Sequence, residues 1–492
     1  MKYFSTRTGF EATASEAIAK GLAPNGGLYV PDALPELTEE KLAALQQMDY
    51  RARAVEIMGM FLPEFSKEEL ERFAAAAYGT QFDAPEIAPV RPLDKNTSFL
   101  ELWHGPTCAF KDMALQMLPH LLTASLKKSG ETRRVCILVA TSGDTGKAAL
   151  QGFADVPDTK ILVFYPDGGV SDVQRLQMVT QTGQNVGVCA VKGNFDDAQT
   201  GVKQIFGDAA LAQALSGRGW FLSSANSINW GRLLPQIVYY ISAYADEVSA
   251  GRIEPGEKIN FVVPTGNFGN ILAGWYAKQM GLPVGRLICA SNENNVLTDF
   301  IRTGTYNKNR PFYLTASPSM DILVSSNLER LLRSLSGSGE ETAAYMERLQ
   351  KDGTYTVSAS VLRKLQAEFS CGFCDDAQTK AAIGSVWSQH HYLMDTHTAV
   401  AYHVLQTYRA ETGDDTPAVV VSTASPYKFC DHVLTAIGAG ADAPGVQLID
   451  RLQKATGVPA PKPLAGLGTR AVRFTDCVEK QDMRAAVQQF LT

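Results

Sequence analysis

"RRVCILVATSGDTGKAALQGF", residues 133–153, decides the fold. Residues 135–140 form a continuous apolar run rich in β-branched side chains. Residues 141–145 crowd polar groups around a glycine, and the rest continues with helical spacing. A strand apolar on both faces that runs straight into a helix belongs to a parallel sheet covered by helices. Runs of the same kind recur at 160–166, 185–191, 259–264, 286–291 and 417–423, with helical stretches between most of them. The expected class is therefore α/β. Ligands in such sheets sit at the carboxyl ends of the strands, so the residues that follow each strand matter most.

The chain has 492 residues, which suggests two to four domains at about 100–200 residues each. It is 45% hydrophobic and 20% charged, with a net charge of −6. That balance argues against nucleic acid or an anionic membrane as the main partner, since both select basic surfaces. The N-terminal "MKYFSTRTGFEATAS" has no apolar stretch after its basic residue, so no secretory signal is expected. No run approaches 18 uninterrupted apolar residues, so no membrane span is expected either. Eight dispersed cysteines without a signal peptide suit reduced thiols in a cytoplasm.

The first ninety or so residues read as mostly helical. "SEAIAKGLA" and "TEEKLAALQQM" have helical spacing, and "APNGGLYVP" is a turn into a short strand. "APEIAPVRPLD" is a proline-spaced link. Residues 300–400 read as less regular, with a flexible turn at "SGSGEET", 336–342.

Four post-strand segments carry candidate chemistry. After 259–264 comes "TGNFGNILAGWYAKQMG". Gly266 and Gly269 permit close backbone approach, and the helix start offers free N–H groups and a positive dipole end. Neither G-x-G-x-x-G nor a P-loop is present. A glycine pair alone fits a plain βα turn; with Asn267 and Asn270 added, a small phosphate ligand fits as well. After 133–140, Thr141, Ser142, Gly143, Asp144 and Thr145 exceed what N-capping requires, which favours a ligand contact. The Gly146-Lys147 pair is not a P-loop, because Thr141 stands where its first glycine belongs and Ala148 replaces the Mg²⁺-binding hydroxyl. Ser422 and Thr423 end the 417–423 strand, either as satisfied strand-end hydroxyls or as partners for a ligand nitrogen. In "SSANSINWGRLLPQIVYY", 223–240, Asn226, Ser227, Asn229 and Arg232 suit an anion, or else a helix cap with a surface ion pair.

Two patterns read as decoys. Cys371-Gly-Phe-Cys374 has redox spacing but follows the helical "VLRKLQAEFS" without a preceding strand. His390, His391, His397 and His403 lack a metal-binding H-E-x-x-H, and "DTHTAVAYHVL" reads as a capped helix, so no metal is expected.

Lys111 is the odd charge in "HGPTCAFKDMALQ", 104–116. Apolar residues at 114, 115, 118, 121 and 122 have helical spacing, with Pro119 as a candidate kink. Lys111 extends that apolar stripe from the first turn, where the helix dipole disfavours a cation. Both effects lower an amine's pKa and favour a nucleophilic, Schiff-base lysine. Snorkelling, or pairing with Asp112 or another acid, remains equally open on position alone.

Together these segments resemble threonine synthase, a pyridoxal-phosphate enzyme of fold type II, in its longer bacterial and fungal form. The similarity lies in "STRTGFEATASEAIAKGLAPNGGLYVP", "LWHGPTCAFKDMALQ", "ATSGDTG", "VSDVQRLQMVTQTGQNV" with "KGNFDDAQTGVK", "ANSINWGRLLPQ", "VPTGNFGNILAG", "DTHTAVAYHV" and "VSTASPYKF", in that order. The resemblance implies a fold type II architecture with two open-sheet α/β domains and a mostly helical N-terminal domain. The expected division is 1–92 for the helical domain, and 93–133 with 231–450 for the large cofactor-binding domain, with an insertion at about 300–390. Residues 134–230 would form the small domain and 451–492 a C-terminal segment.

The resemblance also implies roles. Lys111 would hold pyridoxal phosphate covalently. Gly266, Asn267, Phe268, Gly269 and Asn270 would bind its phosphate, Thr423 its ring nitrogen, and Asp144 would contact the cofactor. Ser142 and Thr145 would contact cofactor or substrate, and Ser227 and Arg232 the substrate phosphate. Asp144 stands where much of fold type II carries asparagine, and Trp230-Gly231 where relatives often have other residues. The implied reaction turns O-phospho-L-homoserine and water into L-threonine and phosphate by γ-elimination and β-addition, with Lys111 as the base. A small-molecule substrate, a cytoplasmic location, and a monomer or homodimer complete the expectation. A related pyridoxal-phosphate lyase or sulfonate-forming synthase, and a catalytically inactive binding relative, are the alternatives.

Overall fold

The computed structural model describes residues 1–443 and 445–492. Two open sheets dominate it. The large sheet runs in the order Phe369–Phe373, Val284–Ser291, Ile259–Pro264, Ala418–Ser422, Thr97–Glu101, Val90–Pro92. Its first five strands are parallel, and Val90–Pro92 closes one edge antiparallel. The small sheet runs Cys477–Val478, Val186–Val191, Thr159–Pro166, Arg134–Ala140, Trp220–Ser223, all parallel. Strands Ile259–Pro264 and Val186–Val191 are buried at every position, as strands covered on both faces must be. All six apolar runs expected to be strands form strands.

Near the N-terminus, Tyr3–Ser5 pairs with Glu11–Ala12 and Tyr29–Pro31 in a small antiparallel sheet. Helices Ala14–Lys20, Glu39–Gln46, Tyr50–Phe61 and Lys67–Ala77 surround it. The fold is therefore α/β with two open sheets and a mostly helical N-terminal part. Among the described residues no helix is long and apolar enough to cross a membrane.

Residues 300–400 are more regular than their sequence suggests. Helices Leu328–Ser336, Gly339–Lys351, Ala359–Glu368 and Asp376–His390 fill nearly half of the region. Ser338, Ser358 and Asp375 each cap a helix start with a side-chain acceptor. The turn at 336–342 is a tight corner, in which left-handed Gly337 (φ 72°) ends one helix and Ser338 starts the next. Cys371 lies in the edge strand Phe369–Phe373, paired opposite Cys289. The helix before it had masked that strand in the sequence. Pro119 does not kink a continuous helix. It sits in the first turn of Leu118–Lys128, after the short helix Asp112–Leu115 has ended.

The register of the large sheet positions the site. Val420 pairs with Val262 on one side and Phe99 on the other. Three neighbouring strands thus end together at Pro264, Ser422 and Glu101, and the loops that follow share one edge. The loop after Thr97–Glu101 runs back along that edge. Phe110 N donates to Thr423 O (2.8 Å), and Ser425 N donates to Cys108 O (3.0 Å). This antiparallel clasp, with left-handed Cys108 (φ 60°) at its bend, delivers Lys111 to the strand ends.

Candidate active site

Lys111 is 9% exposed and enters the N-cap of Asp112–Leu115 from inside the protein, so it does not snorkel. Its Nζ lies 3.4 Å from Asp144 Oδ2 and donates to Ser319 Oγ at 3.2 Å. The adjacent Asp112 is not its partner. That carboxylate accepts from the backbone N and Oγ1 of Thr107, both at 2.8 Å, and burial pushes its pKa up to about 6. Burial likewise lowers the Lys111 pKa. Asp144 opposes that shift, while the positive charges of Lys428 and Arg232 add to it. The net shift is toward the neutral, nucleophilic form of the amine.

Asp144 opens helix Asp144–Phe153 and is equally buried. Lys428 Nζ reaches its Oδ1 at 2.7 Å, and Gln174 Nε2 donates to the same oxygen at 3.0 Å. Burial pushes the Asp144 carboxyl up, but Lys428 and Lys111 outweigh it and hold the group well below the usual carboxylate range. Gly143 (φ 134°) is required here, because a Cβ would lie 2.4 Å from the Gln174 amide carbon. Ser142 is exposed and Thr145 half-buried at the rim of the same turn.

The glycine loop lies beside this cluster. Phe268 adopts a left-handed conformation (φ 63°) as N-cap of Gly269–Gln279 and supplies no side-chain cap, so the first-turn amides keep their donors for another partner. A Cβ on Gly266 would lie 2.6 Å from Ser319 O, which shows how closely the 318–320 turn approaches. Asn267 is exposed, and its carbonyl accepts from Asn327 N at 3.0 Å. Asn270 is buried. Its Oδ1 accepts from Tyr239 and Tyr240 (2.6 and 2.7 Å), and its Nδ2 has no partner among the described residues. Asn327 Nδ2 donates to Ser227 Oγ at 3.2 Å and sits 3.3 Å from where a Gly269 Cβ would be, so Ser227 borders the loop. Thr423 is 5% exposed at the end of the neighbouring strand.

Arg232 lies within helix Trp230–Ser249, one turn in, rather than before it. It is 6% exposed, and Nη1 donates to Ala225 O at 2.6 Å. Burial pushes its pKa down to about 10. Among the described residues it has no carboxylate within ion-pair distance. Trp230 faces away, into an aromatic cluster with Tyr3, Phe61 and Tyr276.

Sequence reasoning missed Lys428, Gln174, Ser319 and Asn327. Lys428 had the best signal, a lysine in the apolar "SPYKFC" directly after a buried strand. Among the described residues no cluster of three or more His, Cys, Asp or Glu could hold a metal, around His397 or elsewhere. The Nδ1 of His397 instead lies 2.7 Å from Asp395 Oδ2. Cys371 and Cys374 point to different partners, Thr298 O and Thr379, and both are free thiols.

A buried amine, uncapped helix amides beside a close-packed glycine and a strand-end hydroxyl meet at one sheet edge. This set accepts a phosphorylated aldehyde, which needs an amine to bond, donors for its phosphate and a partner for a ring nitrogen.

Comparisons with known proteins agree. Residues 98–424 match the family described as pyridoxal-phosphate dependent enzyme, 2–78 match the threonine synthase N terminus, and 398–491 the threonine synthase C-terminal family. Threonine synthase of Schizosaccharomyces pombe is 37% identical over 473 residues, covering 90% of each chain. Threonine synthase-like 1 of Homo sapiens is 41% identical over 434 residues. That match covers 86% of this chain but 58% of the human protein, so this chain spans somewhat over half the length of that relative. A crystal structure of pyridoxal-phosphate-bound threonine synthase from Brucella melitensis superposes with a TM-score of 0.87 at 38% identity. It covers 100% of this chain and 99% of that one.

Proposed function

The chain belongs to the threonine synthase family, and from that premise we propose that it converts O-phospho-L-homoserine and water to L-threonine and phosphate, the last step of threonine biosynthesis. Pyridoxal phosphate is the cofactor, and the residues at the sheet edge fit it. Lys111 would hold it through Nζ, the backbone of Gly266, Asn267, Phe268, Gly269 and Asn270 would hold its phosphate, and Thr423 its ring nitrogen. When bound, pyridoxal phosphate supplies the electron sink that makes the substrate's Cα–H acidic.

The rest of the chemistry falls to the chain's own residues. Lys111 Nζ would take a proton from Cα, hand it on, and only then take a second from Cβ. Burial lowers its pKa, which suits the amine to act as a base. Asp144, itself fixed by Lys428 and Gln174, keeps that amine oriented. Arg232 and Ser227 hold the substrate phosphate and stabilise the charge it gathers as its bond to Cγ breaks. Ser142 and Thr145 line the approach for the substrate. Lys111 would return one proton to Cγ, which becomes the methyl group, and one to Cα, while water supplies the hydroxyl at Cβ and its other proton leaves with the phosphate.

One observation carries this reading. Arg232 is a buried cation with no carboxylate within ion-pair distance among the described residues, in the same site as a buried amine whose pKa is lowered. Such a pairing suits a substrate with both a phosphate and a reacting amino acid. We further read the chain as a helical domain over 1–92, a large domain over 93–133 and 231–450, a small domain over 134–230 and a C-terminal segment over 451–492. It would work in the cytoplasm as a monomer or homodimer, without nucleic acid. The test is release of threonine and phosphate from phosphohomoserine, compared with phosphoserine and homoserine. A faster reaction on phosphoserine, or a Lys111→Ala protein as active as the parent, would overturn the proposal.

A further inference from the structure

A chain of contacts leads from Lys111 through the 318–320 turn to a buried acid. Lys111 Nζ donates to Ser319 Oγ at 3.2 Å. The backbone N–H of Ser319 donates to His397 Nε2 at 3.1 Å. His397 Nδ1 lies 2.7 Å from Asp395 Oδ2, and both residues are at most 2% exposed. A backbone N–H can only donate, so Nε2 carries the lone pair and Nδ1 carries the proton that Asp395 accepts. The tautomer of His397 is thereby fixed, and its ring is held at both nitrogens.

We propose that Ser319 is a further catalytic residue, its hydroxyl holding the reacting amine of Lys111, and that His397 and Asp395 are positioning residues that act through it. This rests on the reaction proposed above, because Lys111 is there the group that moves protons. No net proton leaves the serine. Its hydroxyl accepts from the amine and fixes the direction of the nitrogen lone pair between transfers.

Helix capping accounts for only part of this arrangement. Asp395 caps Thr396–Thr412 by accepting from the backbone N of His397 and Thr398 and from Thr398 Oγ1. Capping does not require the His397 ring to turn outward and grip a distant loop. On its opposite side the same loop meets Gly266, where only a glycine lets Ser319 O come so close. The 318–320 turn is thus pinned from two directions, and the side chain it presents is the one on Lys111.

The two partners of Lys111 pull differently. Ser319 is neutral and tolerates an uncharged amine, whereas Asp144 favours the ammonium form. Without the hydroxyl the amine loses one of its two fixed partners, and its lone pair is no longer held in one direction.

The test uses full-length protein freed of cofactor, with acetylation of Lys111 by acetic anhydride at neutral pH read by peptide mass spectrometry. Threonine release by the reconstituted enzyme is read alongside. Ser319→Ala is expected to slow Lys111 acetylation at least threefold and to lower kcat at least tenfold with KM within threefold. His397→Gln is expected to move both readouts the same way, and the Ser319→Ala/His397→Gln double variant to be no slower than Ser319→Ala. Acetylation and kcat of Ser319→Ala within twofold of the parent would overturn the proposal. A double variant slowed by the product of the two single effects would overturn the positioning role. A parent enzyme that releases no threonine refutes the reaction instead, and the acetylation comparison still decides the role of Ser319.

Discussion

Replacing Asp144 with asparagine removes one charge from a buried cluster and keeps its shape. Asp144 lies 2.7 Å from Lys428 Nζ and 3.4 Å from Lys111 Nζ, with side-chain exposures of 3%, 0% and 10%. At an effective dielectric of about 20, the charges of Asp144 and Lys428 attract by roughly 6 kcal/mol before desolvation is subtracted. Desolvation offsets much of this. Breaking such a pair by removing one partner costs about 3–5 kcal/mol, because the other charge stays buried and unpaired. At about 1.4 kcal/mol per factor of ten, the open population should rise by about two to three decades. Native-state proteolysis of the cofactor-free chain measures this when reclosing outpaces cleavage. Asp144→Asn should therefore be cleaved at least a hundred times faster than the parent at pH 7. The pH course gives a second check. A carboxyl depressed in the folded state contributes stability that is complete above its unfolded pKa near about 4 and is lost as pH falls through the folded value. The gap between the two proteins should thus be flat from about pH 5 to 8 and narrow only below about pH 4. Asp144→Asn/Lys428→Met, which removes both charges, should regain most of the loss. Cleavage of Asp144→Asn within threefold of the parent would refute the claim that this pair holds the site together.

Arg232→Ala should lower kcat/KM for phosphohomoserine by about a hundredfold, the scale of one charge-assisted anion contact, and Arg232→Lys should recover little because it cannot copy the planar fork that also reaches Ala225 O; steady-state threonine release checks both. Gly266→Ala should weaken pyridoxal phosphate binding at least tenfold in equilibrium dialysis, since its Cβ would meet Ser319 O at 2.6 Å and one of the two backbones must shift. His104 is desolvated, yet its contacts to Asp83 (2.6 Å) and Glu101 (2.9 Å) outweigh burial and raise its pKa to about 9. A raised histidine contributes stability that is complete below its unfolded pKa, near about 6.5, and lost as pH rises through the folded value. Stability should therefore fall between about pH 6.5 and 9 by on the order of 3 kcal/mol, at about 1.4 kcal/mol per pKa unit, and His104→Gln should abolish that slope in proteolysis rates.

The frame of the molecule was legible because burial on both faces leaves a direct trace. Six strands showed as continuous apolar runs, and each is a strand of one of the two sheets. Edge strands leave a weaker trace. Phe369–Phe373 reads "FSCGF" and is covered on one side only, so the helix before it hid its start. Trp220–Ser223 and Cys477–Val478 are short edges of the small sheet for the same reason. Around Lys111, the glycine loop, Asp144, Thr423 and Arg232 stood out because each directly follows a strand or opens a helix. The partners that tune them did not. Ser319 comes from 208 residues further along the chain, and nothing in "SPSMD" marks it as facing an amine. His397 was visible as a histidine, but its direction depends on Ser319 N, 78 residues away. Local pattern thus finds groups whose role follows from backbone position and misses those whose role follows from tertiary direction.

The charge balance of the site links these observations. Lys111, Lys428 and Arg232 all act on the same buried volume, yet among the described residues Asp144 is the one carboxylate within ion-pair distance of any of them. Asp112 lies nearby, but its partner is Thr107 and burial weakens its charge. Stability alone would not select this excess, since each uncompensated buried cation carries a desolvation cost of several kcal/mol on the order given for buried ions. The cost is offset when an anion binds, and here two phosphates would share one site, that of the cofactor and that of the substrate. Burial and the neighbouring cations lower the Lys111 pKa, while Arg232 stays charged because a guanidinium resists deprotonation even at a pKa lowered to about 10. The same unbalanced field therefore does two things, favouring bound phosphate and shifting the amine toward its nucleophilic form.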